Sequence, residues 1–213
     1  MKYIQKTSTP QFFIDDTKDL DIWNDYYSNK KRNLKQYILD NEQNYLCGYC
    51  ESKVILDNSH LEHIKPKSLD EENLTFNYNN IIVSCEGKCY TTDNTPESCG
   101  HKKLDEFDEE LFLNPTTQND IRAYFTYESN GTINPSGLND NKSSYTINLL
   151  KLNTFNNNLQ EARKISLREF RIFVSQKVHD TNMDVKEVVK RILNNENIAF
   201  ISFLRFQYKH ILN

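Results

Sequence analysis

His60-Leu61-Glu62-His63-Ile64-Lys65-Pro66-Lys67-Ser68 decides how this 213-residue chain is read, together with Cys47-Gly48-Tyr49-Cys50 before it and Asn80, Cys85 and Cys99-Gly100-His101-Lys102-Lys103 after it. Two cysteines separated by two residues aim both sulfurs at one tetrahedral ion, and a second pair from a distant hairpin completes a thiolate cage. Cys47 and Cys50 are the first pair and Cys85 belongs to the second, while Cys89 and Cys99 compete for the fourth place. Zinc suits such a cage, and with every position filled by sulfur its role is structural.

The histidines and Glu62 describe a second, harder site. Glu62 supplies an oxygen, His101 an imidazole, and His63 a proton acceptor whose ordinary pKa of about 6.5 suits neutral pH. In a strand Glu62 and His63 point to opposite faces, so both serve one cleft only if the strand ends or bulges there, and Pro66 favours an end. His60 shares the face of Glu62 and is an additional candidate metal contact. Asn80 suits bonding backbone groups across a hairpin. Lys65, Lys67 and Lys103 are candidates to meet phosphate, although lysine is ordinary on any surface. A cation next to a proton acceptor is the apparatus that phosphodiester hydrolysis needs. Magnesium or manganese tolerates this ligand set, and zinc or nickel also binds imidazole. His179 and His210 fall in helical patterns and are read as ordinary side chains.

Composition bounds the rest. With 37% hydrophobic and 12% aromatic residues the chain has enough apolar mass for a core. No stretch approaches the roughly 18 apolar residues that span a bilayer, and Met1-Lys2-Tyr3-Ile4-Gln5-Lys6 is not an apolar leader, so the expectation is a cytoplasmic protein with no membrane contact. An odd count of five cysteines in a reducing compartment argues for metal ligation over disulfides. The net charge of -4 is awkward for gripping a polyanion, so either the basic residues are patchy or a partner supplies them.

Four segments are expected. Residues 1–45 are a helical lead-in of one or two helices: Leu20, Trp23, Tyr27, Leu34, Tyr37 and Ile38 recur at mostly helical steps over residues 17–43, with Asp16 and Thr17 available as caps. Residues 46–103 are a turn-rich module in which metal replaces apolar burial. Residues 104–150 mix strand and loop, with Ala123-Tyr124-Phe125-Thr126-Tyr127 entering a hairpin turn at Asn130-Gly131. Residues 151–213 are helical, with stripes at Leu159 to Val174 and Val185 to Leu193, a basic patch over residues 151–191, and a final segment apolar on so many sides that it must pack into a core or a partner. The acidic run over residues 105–110 reads as a solvated face.

These residues resemble the HNH nuclease superfamily. In particular His60 to Ser68, Asn79 to Cys85 and Cys99 to Lys103 look like the HNH subunit of Septu-type anti-phage defence systems and its retron-associated relatives, and Asn114-Pro115, Gly131-Thr132-Ile133 and residues 146–153 fit the same layout. The resemblance implies an α+β fold: a small ββα-metal module with a zinc site, embedded in mainly helical N- and C-terminal segments. It implies His63 as general base, Glu62 and His101 on a catalytic Mg2+ or Mn2+, Asn80 orienting the hairpin, and Cys47, Cys50, Cys85 and Cys99 on structural zinc. Two positions depart from the usual pattern. Gly100 stands where the last metal ligand commonly follows the final cysteine, which moves that role to His101, and residues 86–98 look inserted, which makes Cys89 an extra thiol. The resemblance also implies an ABC or SMC-like ATPase partner, docked through the C-terminal apolar helices and the Trp23 region, and cleavage of invader DNA. A ribonuclease of the same fold acting on host RNA, or a non-catalytic zinc-stabilised nucleic-acid-binding subunit, are the alternatives.

Overall fold

A computed structural model describes residues 1–69, 74–87, 98–153 and 158–212. The site is carried by an antiparallel pair, β1 (Ser59–His63) and β2 (Ile81–Cys85), in the register Ser59↔Cys85, His60↔Ser84, Glu62↔Ile82 and His63↔Ile81. A short helix, α3 (Cys99–Lys103), follows and lies against β2, where the Gly100 N–H donates to Ser84 Oγ at 3.2 Å. All five residues of β2 are buried, which fits its sequence Ile-Ile-Val-Ser-Cys, apolar on both faces. Leu46, Tyr49, Val54, Ile64, Ile81, Ile82 and Val83 are likewise interior. The expectation that metal replaces apolar burial in residues 46–103 is therefore corrected: the thiol cage sits on a hydrophobic core.

The free edge of β2 is closed by one side chain and one turn. The buried Gln43 amide accepts from Val83 N–H at 2.7 Å and donates to the Val83 carbonyl at 2.8 Å, copying a strand partner. Gly48 N–H donates to the same carbonyl at 3.0 Å, which docks the Cys47–Cys50 turn on the sheet. Gln43 ends a π-helical turn, Leu39–Gln43, that extends α2 (Ser28–Ile38), whose Leu34 and Ile38 face the core one turn apart.

The N-terminal region is broken more often than its periodicity suggests. Pro10 starts a separate helix, α1 (Gln11–Thr17), and a 3-10 turn over Trp23–Asp25 precedes α2. Thr17 thus ends a helix and caps none; its hydroxyl bonds back to the Phe13 carbonyl at 2.7 Å. Trp23 and Tyr27 lie outside α2.

Beyond the motif region, β3 (Phe125–Tyr127) and β4 (Ile133–Pro135) form the expected hairpin, with Ala123 and Tyr124 in a 3-10 turn. Gly131 has φ +90°, and a Cβ there would lie 2.2 Å from the Gln160 carbonyl, so only glycine fits. Helices α4 (Asp140–Leu149), α5 (Leu159–Thr181), α6 (Val185–Leu193), α7 (Ile201–Gln207) and α8 (Lys209–Leu212) follow. Asp184 caps α6 by accepting from the N–H groups of Lys186 and Glu187. Arg163, counted with the basic patch, is 2% exposed and donates to the carbonyls of Gly131 and Leu152. Ile201, Phe203 and Leu204 of α7 are buried in the chain's own core, and the half-buried Trp23 packs on His63. Ile172, Phe173 and Val185 are the exposed apolar residues of α5 and α6.

One contact ties the two ends of the chain's function together. Glu51, next after Cys50, is buried and accepts from Ser202 N–H at 2.8 Å and Ser202 Oγ at 2.5 Å, and its carbonyl accepts from Phe200 N–H at 2.9 Å. The thiol turn is fastened in this way to the start of α7. Among the described residues, no helix is long and apolar enough to cross a membrane.

Candidate functional site

Two clusters of metal-binding character gather at the β1–β2 pair. Cys47, Cys50, Cys85 and Cys99 are all buried, and their sulfurs lie within 4.8 Å of one another. Cys85 N–H also donates to Cys47 Sγ at 3.3 Å. Burial disfavours a Cys47 thiolate, but contacts with the other three sulfurs and this N–H outweigh it and hold the thiol well below its ordinary pKa. Four converging sulfurs with one already favouring its anionic form fit zinc. Cys99 fills the fourth place; Cys89 lies outside the described residues.

The second cluster is His60, Glu86 and His101, whose ligand atoms also lie within 4.8 Å of one another. His101 Nε2 and Glu86 Oε2 are 2.8 Å apart, and the imidazoles of His60 and His101 meet at a tilt of 40° with centroids 4.0 Å apart. His60 Nδ1 is 3.6 Å from Glu86 Oε1, beyond hydrogen-bond reach, and is buried with no hydrogen-bond partner. An orphaned ring nitrogen beside a carboxylate and a second imidazole fits a divalent cation. Burial disfavours charge on His60, yet Glu62 and Glu86 on either side raise its pKa to about 9. His60, more than burial can oppose, holds Glu86 down to about 2, with help from His101. The carboxylates thus gather positive charge at the point where a cation would sit.

Glu86 went unnoticed in the sequence because it opens the stretch that looks inserted. Strand parity carries the signal. Ser84 faces His60 in the register, so Glu86, two residues on, shares that face, and its N–H donates to the Asn58 carbonyl at 3.3 Å.

Glu62 stands beside this cluster. Its Oε2 is 3.5 Å from His60 Nε2, while Oε1 is 3.1 Å from Lys103 Nζ and accepts from Tyr49 OH at 3.3 Å. Burial would raise its pKa, but His60 and Lys103 prevail and keep it ionised. Lys103, expected to meet phosphate, is corrected to an interior role: it is 1% exposed, and its ammonium serves Glu62 and the His63 carbonyl. Lys65 pairs with Glu109 at 3.5 Å. Lys67 lies over the Trp23 ring, 5.8 Å from its centroid.

His63, the last residue of β1, falls on the opposite face by strand alternation. The structure does not place it among the cluster residues. Its Nε2–H donates to the Thr75 carbonyl at 2.8 Å, which leaves Nδ1 as the acceptor, and the Trp23 ring meets it edge-on at 4.4 Å. Burial pushes its pKa down to about 4, so the imidazole is neutral at physiological pH and a weaker base than the 6.5 expected from the sequence. Asn80 pins the loop beyond it: its Oδ1 accepts from Lys65 N–H at 2.8 Å and its amide donates to the carbonyls of Lys65 and Leu74 at 3.1 and 3.3 Å.

Gly100 explains the departure after Cys99. A Cβ at this position would lie 2.5 Å from Glu62 Oε2 and 2.8 Å from His60 Nε2, so α3 reaches β1 only without a side chain. Gly100→Ala is expected to retain zinc, to lose about 1–3 kcal/mol of stability through overpacking, and to weaken Mn2+ binding at least roughly tenfold by displacing Glu62 and His60. Thermal melting and Mn2+ titration check this. Wild-type values in both would mean the pair gives way freely.

Comparison with known proteins completes the description. No family model matches the chain. "Retron Vc95 putative HNH endonuclease" of Vibrio cholerae serotype O1 biovar El Tor is 32% identical over 165 residues, covering 75% of this chain and 74% of that protein. "Retron Ec83 putative HNH endonuclease" of Escherichia coli is 29% identical over 153 residues, covering 60% and 59%.

Proposed function

We propose, from the premise that this chain belongs to the HNH endonuclease family and has retron-associated relatives, that β1, β2 and α3 are its ββα-metal module and cut invading DNA. Family membership makes the chain a nuclease, a hydrolase of phosphodiester bonds. In this reading His60, Glu86 and His101 hold the catalytic cation, Mg2+ or Mn2+, with Glu62 adjoining, and the four cysteines hold zinc. A bound cation there would supply Lewis-acid stabilisation of the charge that develops on the phosphate.

The protein's own groups carry the other steps. His63, fixed as one tautomer by the Thr75 carbonyl, takes the proton of the attacking water at Nδ1. Lys103 holds Glu62 ionised beside His60, and Asn80 fixes the backbone that follows His63. The observation that carries the reading is the His60–Glu86–His101 cluster, with its orphaned His60 ring nitrogen, on the ladder that His63 ends; by alternation His63 faces away from the cluster, so it serves the same cleft only around the end of β1. A role in anti-phage defence, and an ABC or SMC-like ATPase partner that supplies nucleic-acid grip this acidic chain lacks, belong to the same proposal.

Labelled duplex DNA, single-stranded DNA and RNA, offered with and without added Mg2+ or Mn2+, test it. Cation-dependent cleavage of DNA is expected. Cleavage of RNA alone would replace this reading with the ribonuclease, and binding without cleavage in any cation would leave a zinc-stabilised binding subunit.

A further inference from the structure

A groove of about 550 Å³ runs between the start of α2 and β1, with Trp23, Lys31, Arg32, Lys35 and His60 in its walls. Two of its cations are already engaged: Arg32 pairs with Asp57 at 2.8 Å, and Lys35 donates to the carbonyls of Leu56 and Ser59. Lys31 is different. Its ammonium lies 5.0 Å from the centroid of the Trp23 ring, over which Lys67 also lies, and among the described residues neither lysine has an acidic partner. Burial and the neighbouring Lys67 both push the Lys31 pKa down, the mark of like charges held together.

The helix adds to the imbalance. The N-terminus of α2 carries positive dipole charge, yet Lys30 and Lys31 stand in its first turn, no acidic residue does, and Tyr27 at the cap offers no side-chain bond. Lys30 is balanced by Asp16 at 2.6 Å; Lys31 is not balanced. Local charge set against the helix in this way marks a place where function overrides stability. An anion would relieve it at once, because it would meet the positive end of the helix dipole and the ammonium groups of Lys31 and Lys67.

We propose that this groove binds a backbone phosphate of the nucleic-acid strand next to the bond being cut, held by Lys31 in its wall and by Lys67, which reaches the Trp23 ring from outside the groove lining. The location fits a strand under cleavage: the groove wall includes His60 of the metal-binding cluster, and Trp23 touches the His63 ring. The inference rests on the nuclease reading and adds a positioning subsite to it.

The test is anisotropy with labelled DNA and RNA oligonucleotides over a range of salt, without added Mg2+ or Mn2+ so that nothing is cut. Lys31→Glu/Lys67→Glu should weaken binding roughly tenfold or more and lower the slope of log K against log salt by about 1 per lysine. Lys177→Glu/Lys186→Glu, the same charge change on exposed positions of α5 and α6, should leave the slope unchanged. A loss on both polymers, or on one, supports the subsite and names its strand. Full affinity and slope in the first double variant, or an equal loss in the second, overturns the groove alone. Wild-type protein that binds neither polymer overturns the groove as a subsite of this chain, while the nuclease reading stands or falls separately, on whether the same protein cuts either polymer once Mg2+ or Mn2+ is added. Zinc content and melting at wild-type values confirm that each variant is folded.

Discussion

Cys50→Ala is expected to abolish zinc binding at the four-cysteine cluster and to unfold the region around the β1–β2 pair. The cysteine sulfurs sit at the centre of the core, where all four residues are at most 5% exposed. A structural zinc contributes on the order of 10–16 kcal/mol to folding a small module, whereas a whole domain is stable by about 5–15 kcal/mol. Loss of one thiolate opens the cage and leaves three buried sulfurs whose anionic forms have no cation to offset burial. The damage spreads in two directions, through Cys85 into β2 and through Glu51 into α7. Metal analysis should find zinc at a small fraction of the wild-type content, and hydrogen exchange should show residues 46–103 unprotected at a temperature where the wild type is folded. A full zinc equivalent with an unshifted melt would dispose of the cage.

His63→Gln is the second large effect. Glutamine can still donate an amide N–H to the Thr75 carbonyl, but it cannot accept a proton at neutral pH, so geometry and basicity are separated. Removal of a general base costs about 10²–10⁴ in rate, while the fold should lose no more than roughly 1–3 kcal/mol from imperfect packing against Trp23. Single-turnover cleavage in Mg2+ or Mn2+ measures the first, and thermal melting with zinc analysis the second. Cleavage at the wild-type rate would remove His63 from the chemistry and return attention to the groups around His60.

The thiol cage was legible because its chemistry is local: the Cys47–Cys50 spacing is itself the geometry. The α+β class and the β3–β4 hairpin were legible for a similar reason, since Asn130-Gly131 carries its turn in two residues. What stayed hidden depends on pairing and burial. Glu86 joins His60 only through the register that sets Ser84 opposite His60, and the apparent insertion drew the eye past it. Lys103 reads as a surface cation until α3 is seen folded against β1, where its length lets it reach Glu62. Periodicity alone does not mark the break between α1 and α2, because Leu20 and Trp23 keep helical spacing while packing against the core from turns.

The fastening of Glu51 to Ser202 and Phe200 bears on anyone who would transplant this catalytic unit into another scaffold. Excised residues 46–103 would carry an ionised glutamate stripped of its hydroxyl and amide donors, directly beside a sulfur that must grasp metal. The cassette therefore travels only with its C-terminal clasp, and a minimal portable nuclease cut from this chain has to keep α7.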